Sequence, residues 1–163
     1  MVTNMLGAKR IKIILIGAIC LAIAGCDEHQ GSYNHRDFTE YSLDEKSFDA
    51  EAMEKIEKES EIDIPPDSKG LAFHHIPPID PIVFAKIKIP ADAQNTLIKQ
   101  LEALTFSGTQ FPKNFANDRC KWWPIAPKGV ILSKQAFKKS YFMELLLVKE
   151  DDDIILYIKY FTI

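Results

Sequence analysis

Two apolar runs near the C-terminus decide the fold: Met143-Glu144-Leu145-Leu146-Leu147-Val148 and Ile154-Ile155-Leu156-Tyr157-Ile158-Lys159-Tyr160-Phe161-Thr162-Ile163. Both are rich in β-branched, aromatic and leucine side chains, which suit a pleated, packed surface. Between them lies Glu150-Asp151-Asp152-Asp153, a run of carboxylates that resists burial and reads as a turn. The two runs therefore predict an antiparallel β-hairpin. Both strands are apolar at nearly every position rather than at alternate ones, so both faces of the hairpin are expected to be covered.

Working back from the hairpin, Gly129 to Leu132 predicts a short strand. Residues 107–129 read as irregular, punctuated by Pro112, Pro124 and Pro127. Before them, Ala93, Leu97, Ile98, Leu101 and Leu104 recur at helical spacing. Pro90-Ala91-Asp92 opens this helix with Asp92 as N-cap, and Ser107-Gly108 ends it. Ile82 to Ile89 predicts a strand with Val83, Ala85, Ile87 and Ile89 on one face and Lys86 and Lys88 on the other. Leu71 to Ile76 predicts another, separated from it by a stiff loop holding Pro77, Pro78 and Pro81. The order β-β-α-loop-β-β implies an α+β domain, an antiparallel sheet with one or two packed helices in two layers.

Residues 42–60 read as a further helix. Ser42 and Glu45 have capping-box spacing, and Ser47 or Asp49 would cap a shorter version. Ala52, Met53 and Ile56 form its narrow apolar stripe, and Glu51 with Lys55 and Glu54 with Lys58 stand four apart in the favourable order. Pro65-Pro66 stops any continuation. The single domain is expected to span 42–163.

The N-terminus has a different character. Lys9, Arg10 and Lys12 precede an uninterrupted apolar stretch of twelve residues, Ile13 to Ala24. A spanning helix needs roughly 20 apolar residues, so this length suits a signal-peptide core. Ile23-Ala24-Gly25-Cys26 closes it: an aliphatic residue, two small ones, then cysteine. Residues 1–27 thus resemble bacterial lipoprotein precursors. The resemblance implies cleavage after Gly25, a diacylglycerol thioether on Cys26 and an N-acyl chain on the new amine. Each buried CH₂ adds about 0.8 kcal/mol, and stable anchoring takes more than one chain, which this arrangement supplies. No other cofactor is expected. Asp27 and Glu28 resemble the signal that retains lipoproteins in the inner membrane of enteric bacteria. They place the protein on its periplasmic face, or in the outer membrane where that sorting rule does not operate. An uncleaved N-terminal anchor is the alternative, and Met5 offers an internal start that leaves the signal intact.

Charge and cysteine follow from this reading. The chain has 20 basic and 23 acidic residues. Removing residues 1–25 takes away three basic residues and no acidic one, moving the formal charge from −3 to −6. Residues 27–68 hold 14 acidic and 4 basic side chains, whereas residues 69–163 hold 9 and 13. Residues 26–41 are expected to form a flexible tether after the lipidated cysteine, about 15 residues reaching at most ~50 Å. With Cys20 removed and Cys26 lipidated, Cys120 is the single free thiol, so no intramolecular disulfide supports the fold.

Trp122-Trp123-Pro124 is the most distinctive motif of the folded part. Neighbours in an extended segment point to opposite sides, so one Trp can plug the core while the other faces outward as an anchor for a partner. The favoured expectation is that both close the open end of the core. Arg119, Lys121 and Lys128 flank them and add charge to a possible contact surface. The double Trp with its proline, followed by a Tyr-rich hairpin, is similar to a group of small bacterial lipoproteins. That resemblance spans roughly residues 82–163 and implies no activity.

Metal and catalytic signatures do not assemble in the sequence. His74 and His75 are neighbours in a predicted strand and face opposite ways, with no third ligand at a useful spacing; His29 and His35 fall in the tether. Asp151 to Asp153 lack the twelve-residue calcium-loop pattern. No nucleophile elbow, phosphate-cradling glycine loop or H-E-x-x-H occurs, and Ser133, Ser140 and Cys120 have no base visible at close spacing. The expected function is a non-enzymatic protein-binding or accessory module of the cell envelope, its partner another envelope protein met through the Trp loop or the acidic 44–63 region. Nucleic acid is not an expected partner. An immunity or inhibitor lipoprotein neutralising a toxin or protease is the first alternative. A small envelope hydrolase or ligand carrier is the second, to be favoured by a pocket lined by His74, His75 or the Trp pair.

Overall fold

The computed structural model describes residues 35–77, 79–105, 115–138 and 141–162. The lipobox, Cys26, Asp27, Glu28, the Ser107-Gly108 helix stop and Ser140 lie outside them. Among the described residues the fold is α+β: one six-stranded, wholly antiparallel sheet with two α-helices. In chain order the elements are β1 (Tyr41–Asp44), α1 (Ala50–Ser60), β2 (Lys69–Ile76), β3 (Ile82–Ile89), α2 (Gln94–Ala103), β4 (Val130–Lys138), β5 (Tyr141–Glu150) and β6 (Asp153–Thr162). Across the sheet they run β1-β2-β3-β6-β5-β4.

The C-terminal hairpin is β5 and β6, and β6 lies at the centre of the sheet between β3 and β5. Glu150 pairs with Asp153, and the turn between them is made by Asp151, at φ 53°, and Asp152. Near-continuous apolarity has the expected cause. Ile154, Leu156, Ile158 and Tyr160 join the core under the helices, while Ile155, Tyr157 and Phe161 join a second core on the opposite face. Both helices lie on the first face, where Ala52 and Ile56 of α1 and Leu97 and Leu101 of α2 are buried against Phe73, Ala85 and Leu147. The second face is covered by the 115–123 segment, through Cys120 and Trp123. The sheet is therefore sandwiched rather than one of two layers, because a strand apolar on both sides must shed water from both.

Several local expectations are corrected. The helix read over 42–60 begins at Ala50; its first part is β1, which pairs with β2 through Ser42 and His74. Asp49, not Ser42, is the N-cap: its Oδ1 accepts from the Ala52 amide at 3.0 Å. Tyr41, the last residue of the stretch read as tether, already belongs to β1. Asp92 does not cap α2, because Ala91–Ala93 form a 3₁₀ turn and the helix proper starts at Gln94. The C-terminus of α2 is met from outside instead: Lys134 of β4 donates to the carbonyls of Leu101 and Glu102 at 3.0 and 2.6 Å, a cation where helix carbonyls are left unpaired. The short strand at 129–132 extends to Lys138. Its entry at Gly129 has φ 67°, beside a register shift between Val130 and Leu132, and the Gly129 carbonyl accepts from Lys149 N–H.

Candidate functional site

The 115–123 segment is held down by one unusual residue. Lys159 is the single charge in the apolar part of β6, and its side chain is fully buried. Its ammonium donates to the Phe115 carbonyl at 3.0 Å and to Asn117 Oδ1 at 2.7 Å, and lies 2.6 Å from Glu144 Oε2 on neighbouring β5. It also sits 5.2 Å from the centre of the Trp123 ring. Burial pushes its pKa below the ordinary lysine value, with Glu144 opposing that shift. Buried charge is tolerated only where every proton finds an acceptor, and here the acceptors come from the segment that must be fixed.

Within that segment the chain is not extended. Arg119 N–H bonds to Ala116 O, Cys120 N–H to Asn117 O and Trp123 N–H to Cys120 O, so tight turns carry the tryptophans. Trp123 is 4 % exposed, its ring edge-on to Phe84 at 5.5 Å and Tyr157 at 5.8 Å. Trp122 is half-buried, 6.4 Å from Phe84 and 6.5 Å from Tyr157. The two rings thus differ in burial, although turns rather than strand alternation separate them. Cys120 is buried in the same core, and burial raises its thiol to about 11, which leaves it protonated at neutral pH.

A cleft of about 540 Å³ opens between β1 and this segment. Ser42, Leu43 and Asp44 line one side, and Arg119, Lys121 and Trp122 line the other. His74 of β2 lines it as well. Ser42 and His74 are directly paired across β1 and β2, and Ser42 Oγ lies 2.6 Å from His74 Nδ1. Glu40 Oε1 stands 3.5 Å from His74 Nε2, and Glu40 Oε2 stands 3.6 Å from Arg119. Burial lowers the His74 pKa, with Glu40 acting in the opposite sense. In the neutral imidazole that this favours, the proton can sit on either ring nitrogen, and the direction of the Ser42–His74 hydrogen bond follows from which one carries it. Asp44 is occupied by its own turn, accepting at Oδ1 from Ser47 Oγ at 2.6 Å, Ser47 N–H at 3.0 Å and Lys46 N–H at 3.1 Å.

Of the residues singled out in the sequence, Arg119, Lys121 and Trp122 come together with His74 in this cleft, while Trp123 lies in the core. Lys128 is exposed on the loop leading to β4. His75 faces away from His74, buried against Tyr41 with its Nδ1 3.3 Å from the Thr39 carbonyl. The acidic region around α1 is partly neutralised within the chain: Asp49 by Arg36 at 2.7 Å, Glu45 by Lys69, and Glu59 by Lys55 at 3.0 Å. Glu40, Ser42 and Glu144 are missed by sequence reasoning. Lys159 is legible as a lone lysine inside an apolar strand, a pattern that marks a buried charge with fixed partners.

No protein-family model matches the chain, and no curated protein or solved structure matches it either.

Proposed function

We propose that the protein is a lipid-anchored, non-enzymatic binding module of the bacterial cell envelope, held on the periplasmic face of the inner membrane through Cys26. The observation that carries this reading is Ile23-Ala24-Gly25-Cys26 at the end of a twelve-residue apolar stretch behind a basic segment. Among the described residues, no helix is long and apolar enough to cross a membrane. The cleft beside Trp122 is the contact surface of this reading. Crosslinking in intact envelopes, followed by pull-down, should recover one defined envelope protein. Labelling with a radioactive fatty acid should be lost in Cys26→Ser; a Cys26→Ser chain that still takes up label would end the lipoprotein reading. Fractionation places the protein in the inner membrane if Asp27 acts as a retention signal.

A second reading, a small envelope hydrolase, has one observation in its favour. Ser42, His74 and Glu40 stand in the order hydroxyl, imidazole, carboxylate beside the cleft. A neutral His74 is competent to take the Ser42 proton. A fluorophosphonate probe that labels the wild-type chain and not Ser42→Ala would establish this reading; an unlabelled wild type would remove it.

A further inference from the structure

We infer that one end of the sheet, the end that carries the β2–β3 turn, rests on the lipid bilayer, with Ile79 and Phe38 inserted among the headgroups and Phe115 at their margin. This rests on the lipid-anchor reading and names a second contact with the same membrane. The first argument is where the exposed apolar side chains stand. Ile79 is 88 % exposed, Phe38 62 % and Phe115 40 %. Ile79 lies in the turn between Ile76 and Ile82, which pair across β2 and β3. Phe38 comes just before β1, whose Tyr41 pairs with His75 of β2, and the Thr39 carbonyl lies 3.3 Å from His75 Nδ1. Phe115 packs its ring on Phe161 at 4.8 Å, and Phe161 pairs with Ile82. All three therefore stand at one end of the strands. Single exposed apolar side chains are ordinary; three large ones gathered at one end of a sheet mark a contact site.

The second argument is where the chain arrives. His35–Phe38 form a 3₁₀ turn directly before β1, at this same end. Eight residues, 27–34, separate that turn from Cys26. Fully extended they reach at most ~30 Å, so acyl chains on Cys26 keep this end within that distance of the headgroups. A short link makes docking an intramolecular event at an effective concentration on the order of mM, at which a few apolar side chains suffice. The third argument is the contrast between the two ends. The far end carries the exposed Asp151-Asp152 turn and the ion pair of Lys88 with Asp153, groups that lipid contact would strip of water. β6 is ten residues long, which puts that end roughly 30 Å away along the strand. Charges at the docking end are of both signs, with Glu40 3.6 Å from Arg119 and Asp80 next to Ile79. Apolar contact and not net charge therefore drives the docking, and headgroups without net charge are enough.

The test is fluorescence quenching of the full-length processed chain in phosphatidylcholine nanodiscs containing a lipid spin-labelled at its headgroup. A thiol-reactive fluorophore is placed through Asp80→Cys or, at the far end, through Asp152→Cys; Cys120 is buried with its thiol protonated and does not compete. The probe at 80 should be quenched severalfold more than the probe at 152. Adding Phe38→Ser and Ile79→Ser, checked for unchanged circular dichroism, should bring quenching at 80 down to the level at 152. Val130→Ser, which removes an exposed apolar side chain at the far end, should leave it unchanged. So should 1 M salt, which screens charge beyond about 3 Å. Equal quenching at the two positions overturns the proposal. So does quenching that survives the double substitution, because tether proximity alone would then account for it, or quenching that salt abolishes, because charge would then hold the surface. Intact mass separates this inference from the anchor it rests on. An acylated chain whose two probes are quenched alike removes only the docking, whereas a chain without acyl groups removes the anchor reading and this inference with it.

Discussion

Lys159 shows how one side chain can fix a surface it never reaches. Its ammonium gathers Phe115 O, Asn117 and Glu144 under the segment that carries Arg119, Lys121 and Trp122. Removing one partner of a buried pair leaves the other uncompensated, whereas removing both is often neutral. Lys159→Met should therefore cost about 3 kcal/mol in urea unfolding, and Lys159→Met with Glu144→Leu should recover most of it. His74 makes a prediction about pH. Burial holds its folded pKa below the ordinary 6.5, so in acid the unfolded chain takes up the proton first. The stability linked to this residue is complete above 6.5 and declines as the pH falls below it, levelling off once the folded form is also protonated. Urea midpoints measured between about pH 7.5 and 5.5 should fall for the wild type and fall less for His74→Gln.

At the scale of elements, the join between β1 and α1 carries the most information. Asp49 serves two partners at once, the Ala52 amide through Oδ1 and Arg36 through Oδ2 at 2.7 Å. Asp49→Ala should destabilise the fold by about 1 kcal/mol, the usual loss for an N-cap. Arg36, first, and then the Ala52 amide hold the Asp49 carboxyl below its ordinary 3.8. The difference between wild type and variant should be complete above that value and shrink as the pH falls through the folded pKa. Gly129 is the other decisive junction. Its φ of 67° and the approach of the Lys149 carbonyl to any added Cβ leave no room for a side chain. Gly129→Ala should lower the thermal midpoint by several degrees, as a strain of roughly 1–3 kcal/mol would.

For the whole molecule, the sheet divides the protein into a helical face and a cleft-bearing face, and the two tryptophans test that division. Trp123→Ala removes a core ring wedged between Phe84 and Tyr157 and should cost roughly 3–5 kcal/mol. Trp122→Ala should cost much less, because its ring is half-buried, and should instead weaken capture of the proposed envelope partner. Equal loss of folding in both variants would show that the pair closes the core and contacts nothing.

The sequence alone determined β2, β3, β5, β6 and much of the core, because periodicity reports burial wherever a stretch is long and uniformly apolar. β3, the C-terminal hairpin and the face of α2 are legible for that reason. It also carries Ile23-Ala24-Gly25-Cys26, the local pattern on which the proposed lipid anchor rests. Short and mixed stretches were not legible. Tyr41–Asp44 is four residues of polar and apolar side chains, too short for a period to assert itself, and Ser42 with Glu45 mimics a helix start. Its identity as a strand depends on pairing with β2, an interaction with residues about thirty positions away in the chain. The tertiary structure likewise decided that an irregular segment covers the second face of the sheet. It alone brought Ser42, His74, Arg119 and Trp122 around one cleft, since local sequence sets how a residue prefers to turn and not what it will meet.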